Sequence, residues 1–65
     1  MDIDPTMKFF AYRHLPERLR KVSKMFHDLA HELIGAAPNC EERRVALRKL
    51  LESKDAAVRA ALEDQ

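Results

Sequence analysis

Six apolar residues, Leu15, Leu19, Val22, Phe26, Leu29 and Leu33, recur at steps of four, three, four, three and four. That is the spacing of one apolar seam on an α-helix, and nothing in the run suits the alternation of a strand. It predicts a first long helix over about 15–36, roughly 30 Å long. Pro16 and Glu17 suit its first turn: proline lacks an amide that would be orphaned anyway, and glutamate meets the positive end of the dipole. The face opposite the seam carries Arg20, Lys24, His27 and His31, again at steps of four, three and four. One side of the helix needs an apolar partner, and the other could hold something negative.

The only glycine, Gly35, and Pro38 mark the end of this helix, with Pro38 disfavouring helical geometry at Ala37. Asn39, with Glu42 three residues on, reads as a capping box opening a second helix over about 40–63. Its seam is Leu47, Leu51, Val58 and Ala61, with Lys54 intruding where an apolar residue is expected. Lys54 belongs either to an interface between subunits or to an edge from which it snorkels to water. Ala56, Ala57, Ala60 and Ala61 permit close helix approach. The short connection predicts an antiparallel αα-hairpin. The fold class expected is all-α, one domain over 1–65, with a short N-terminal arm over 1–14.

In that arm Asp4-Pro5-Thr6 reads as the cap of a single helical turn, which must dock on something to persist. Phe9, Phe10 and Tyr12 follow and, with Phe26, are all the aromatics of the chain. Phe9 and Phe10 are expected to cover the open end of a small core. Tyr12 sits among Arg13, His14 and Arg18, where its ring suits stacking and its hydroxyl an acceptor.

A chain of 65 residues buries little surface and usually needs disulfides, a metal or a partner chain. One cysteine, Cys40, rules out an internal disulfide and fits a reducing cytosol. Self-association is the remaining route, so a homo-oligomer is expected. Twelve Lys and Arg against eleven Asp and Glu leave a formal +1, which is no general nucleic-acid footprint, and no DNA partner is expected. The basic excess is local, between Arg13 and Lys24. MDIDPTMKFF has no long apolar h-region, and no apolar run approaches the roughly 20 residues that span a bilayer. The expectation is a soluble, cytoplasmic protein without a membrane partner.

Catalytic chemistry finds little support. His27-Asp28-Leu29-Ala30-His31 has the outline of the zinc pattern H-E-x-x-H, but no third ligand presents itself and Asp is shorter than the Glu that activates water. Cys40 at a helix start would have a lowered thiol pKa, yet Glu41 and Glu42 beside it oppose that. One glycine excludes a phosphate-cradling loop. A non-enzyme without cofactors is expected. Arg18, Arg20, Lys21 and Lys24 crowd the first turns of the first helix, where anions bind to free amides. A second basic set, Arg43, Arg44, Arg48 and Lys49, opens the other helix. The two sets fall at opposite ends of one hairpin, so a site shared between them requires another subunit.

Longer stretches carry a resemblance. Phe10 to Pro16 (FAYRHLP), Val22 to Phe26 (VSKMF), Leu29-Ala30, Pro38, Glu42-Arg43 and Val45 to Arg59 (VALRKLLESKDAAVR) resemble the phage family of anti-CBASS cyclic-oligonucleotide sponges, whose helical hairpin domain is shared with anti-Thoeris sponges. The resemblance covers about residues 10–62. It implies a helical homo-hexamer that binds cyclic di- and trinucleotides of bacterial antiviral defence without cleaving them, in the host cytoplasm during infection. It places a tyrosine and a lysine around the cyclic dinucleotide: Tyr12 and Lys24 here, with His27 a rival for the second. A separate trinucleotide site would use Arg43 or Arg44 near the turn. Met25 stands where relatives read proline, and Arg44 where threonine is expected, so the pocket shape differs. The reading from a different class is a small structural or regulatory helical protein acting through helix-mediated protein partners.

Overall fold

The computed structural model describes residues 4–63. The first three residues of the expected arm lie outside them. Among the described residues the chain is all-helical: a 3₁₀ helix, Pro5–Phe10, then α1, Glu17–Ala36, and α2, Glu41–Glu63.

The 3₁₀ helix is built as Asp4-Pro5-Thr6 suggests. Asp4 Oδ1 accepts the Thr6 amide at 2.9 Å, and Pro5 supplies the first helical position. Of its two phenylalanines only Phe10 is buried. Phe9 is 54% exposed, so its expected role in covering the core falls to Phe10 alone. Lys8 instead sits 5.2 Å above the Phe9 ring.

α1 begins at Glu17, with Pro16 as the residue before it. Its C-terminal stop uses Pro38, as expected, but not the glycine. Gly35 lies within the helix, its φ is not positive, and it takes no part in the turn. The stop is Ala37, extended at φ −114° and ψ 144° ahead of Pro38, while its amide still reaches the Leu33 carbonyl at 3.0 Å. α2 begins at Glu41, where the Cys40 carbonyl accepts the Arg44 amide at 3.2 Å. Asn39 is therefore one residue too early for the capping box. Its Oδ1 is met by Arg44 Nη1 at 3.5 Å instead.

The helices run antiparallel, fixed at both ends by arginines. Arg18, at the start of α1, donates to the Ala61 carbonyl near the end of α2. Arg43, at the start of α2, donates to the Ala37 carbonyl at 3.2 Å and weakly to that of Ile34 at 3.4 Å. These carbonyls lack partners inside their own helix, so the guanidinium of Arg43 serves as a C-cap for α1.

Three apolar residues, Phe10, Ala30 and Leu47, form the fully buried centre, one from each helix. Met7, Phe26, Leu33, Ile34, Leu50 and Leu51 pack around it, partly buried. The α2 seam is as expected at Leu47 and Leu51. α1 is turned from its expected seam: Ser23 and Ala30 are its buried residues, and Leu29 is 50% exposed. Phe26 and Leu33 of the expected seam still pack against this centre, so the turn moves Leu29 to the flank. Lys54 does not snorkel to water. Its side chain is 13% exposed and its Nζ donates to the Phe9 carbonyl at 2.9 Å, tying the 3₁₀ helix to α2. The displacement of Leu29 leaves an open apolar groove of about 510 Å³ lined by Leu29, Leu33, Ala36, Ala46, Leu50 and Ser53. Among the described residues no helix is long and apolar enough to cross a membrane.

Candidate functional site

The segment between the 3₁₀ helix and α1 carries Tyr12 back over the polar face of α1. The Leu15 amide donates to the Tyr12 carbonyl at 3.1 Å, closing a turn just after the tyrosine. Its ring meets His27 edge-on, with centroids 4.8 Å apart and planes at 66°. His27 in turn lies 4.4 Å from His31, one turn along the helix, the planes tilted by 52°. The Arg13 guanidinium stands 5.3 Å from the Tyr12 ring centre. Edge-to-face rings at these separations are an ordinary favourable arrangement, and the arginine adds a cation–π contact. Ala11, Tyr12, Arg13, His14 and His27 line a shallow depression of about 280 Å³.

Asp28 organises the neighbouring charges. Lys24 Nζ donates to Asp28 Oδ2 at 2.7 Å, and His27 Nδ1 lies 3.0 Å from Asp28 Oδ1. The hydrogen bond to Asp28, then its negative charge, raises the Lys24 pKa above its ordinary value. The bonds from Lys24 and then His27 lower that of Asp28. Lys24 thus stays cationic, but its charge is shared with a carboxylate.

Of the residues singled out in the sequence, the fold brings Tyr12, His27 and Lys24 together, His27 touching Tyr12 and Lys24 one helical turn away through Asp28. Arg20 is exposed on α1, further toward its N-terminus. Arg43 and Arg44 stand at the far end of the hairpin. Arg43 is buried, with its guanidinium committed to backbone carbonyls, so it is removed from the surface set. Arg44 is exposed, with Nε 3.4 Å from Glu41 Oε1. The structural role of Arg43 has a signal in the sequence, since it lies four residues before Leu47, in register with the α2 seam. Asp28, read at first only against a zinc pattern, joins the site as charge partner, and His31, already placed on the polar face, joins it as ring neighbour. Among the described residues no group of three or more His, Cys, Asp or Glu is placed to hold a metal ion.

No family model, no curated protein and no solved structure matches the chain. The functional reading therefore rests on the geometry and on the sequence pattern.

Proposed function

We propose that the chain is a phage anti-defence protein that binds and sequesters cyclic di- and trinucleotide second messengers of bacterial CBASS immunity without cleaving them. It acts in the host cytoplasm as a homo-hexamer. The observation that carries this reading is the Tyr12–His27 ring pair beside Arg13 and Lys24. A nucleobase needs a flat ring surface, and a phosphodiester needs cationic donors within reach of it. The resemblance of residues 10–62 to the sponge family points to the same tyrosine and lysine. A depression of about 280 Å³ falls at the bottom of the roughly 300–1,000 Å³ range of ligand pockets, which favours a site completed by another copy.

The test is calorimetric titration with a panel of cyclic di- and trinucleotides, followed by chromatography of the recovered ligand. Tight binding with intact ligand is expected, and Tyr12→Ala is expected to remove affinity while the oligomer persists. Undiminished binding by Tyr12→Ala would sink the assignment of the site. A second reading, a helical structural or regulatory protein acting through protein partners, draws on the open apolar groove. It is favoured if no cyclic nucleotide binds.

A further inference from the structure

We propose that the groove between α1 and α2 is where two copies of the chain pair, with a two-fold axis running along the helices so that α1 of each copy lies against α2 of the other. This deepens the self-association in the reading above, rests on that part of it, and requires no nucleotide.

Charge selects both the occupant and its direction. Glu32 stands on the α1 side of the groove and Lys49 on the α2 side, both exposed. Among the described residues neither has an ion-pair partner in its own chain. Arg18 lies level with Ala61 and Arg43 with Ala37, so the antiparallel hairpin sets Glu32 level with Lys49. An axis along the helices brings Glu32 of one copy against Lys49 of the other, twice. An axis across the helices, centred on the groove, would oppose Glu32 to Glu32, which like-charge repulsion disfavours.

Shape agrees with this direction. Met25, 62% exposed, lies one turn before Leu29, 50% exposed, on the same stripe of α1. At the matching heights α2 offers Ser53 and Ala56, both small and exposed. Large side chains of one copy therefore meet small ones of the other, the interdigitation that a four-helix layer requires.

Sedimentation equilibrium of the full chain without nucleotide reads the pairing, with circular dichroism reporting helix. The wild type is expected to associate. Leu29→Glu is expected to stay helical and to weaken association by about 100-fold or more, since the groove would enclose an unpaired charge. Glu32→Lys should weaken it by about tenfold, and Glu32→Lys combined with Lys49→Glu should restore it. If Leu29→Glu loses helix, the charge-reversal pair decides alone. The proposal is overturned by a wild type that is monomeric at every concentration, which leaves the groove to another protein's helix. It is equally overturned by a helical Leu29→Glu that associates as the wild type does, or by a double reversal that fails to restore. Cyclic-nucleotide uptake on the same samples separates the two readings: association without uptake defeats the binding reading alone, and uptake by a monomer defeats this proposal and the assembly it rests on while nucleotide binding stands.

Discussion

Asp28 sets how much uncompensated positive charge stands beside Tyr12. Its lowered pKa means that its share of stability is present above the ordinary carboxylate range and is lost as pH falls through the lowered value. The raised pKa of Lys24 works in the other direction, its share being lost only as alkaline pH passes the raised value. Across the range between, the pair holds and Lys24 is partly occupied. Asp28→Asn removes the competitor, so affinity for a cyclic dinucleotide is expected to rise severalfold by calorimetry, with a flatter acid limb in its pH profile. A fall in affinity would show that Asp28 positions Lys24 rather than competing for it. Arg43 answers to stability instead. Arg43→Met leaves the last carbonyls of α1 without their donor in a buried setting, for an expected loss of about 1–3 kcal/mol in urea unfolding.

At the scale of elements, the two arginine ties and Lys54 hold three helices around a very small centre. Lys54→Met keeps the bulk of the side chain but removes the donor to the Phe9 carbonyl. The 3₁₀ helix is expected to loosen, visible as faster amide exchange at Met7, whose amide donates to the Asp4 carbonyl at 2.9 Å, while α1 and α2 keep their protection. Gly35 offers the opposite change. It lies inside α1 with nothing within 4 Å of an added Cβ, so Gly35→Ala is expected to stabilise by about 0.5–1 kcal/mol in urea unfolding. These elements also show what the sequence carries on its surface and what it does not. Helix identity and the short turn are legible, because a 3.6-residue period and Pro38 act locally. The rotation of α1 that buries Ser23 and Ala30 and exposes Leu29 is not, since it depends on which side chains the 3₁₀ helix and α2 bring against it. The duty of Lys54 is hidden for a related reason. A cation in an apolar seam looks like an intruder until the carbonyl it reaches, many residues away, is in place.

A single copy of the molecule leaves apolar surface uncovered. Among the described residues three fully buried apolar side chains make a thin core, an apolar groove stays open, and the Tyr12 depression is small. Helical spacing puts Lys24 and His27 on one face and the resemblance adds Tyr12, and the fold brings the three together, whereas Asp28 beside them shows its pairing only once the side chains are placed. The account requires assembly and ligand capture together. Native mass spectrometry of the purified chain, alone and with cyclic di- and trinucleotides, measures both at once. The account predicts a hexamer that gains the mass of intact cyclic nucleotide, with Tyr12→Ala keeping the hexamer and losing the added mass. A protein that stays at a lower assembly and takes up no cyclic nucleotide would contradict it.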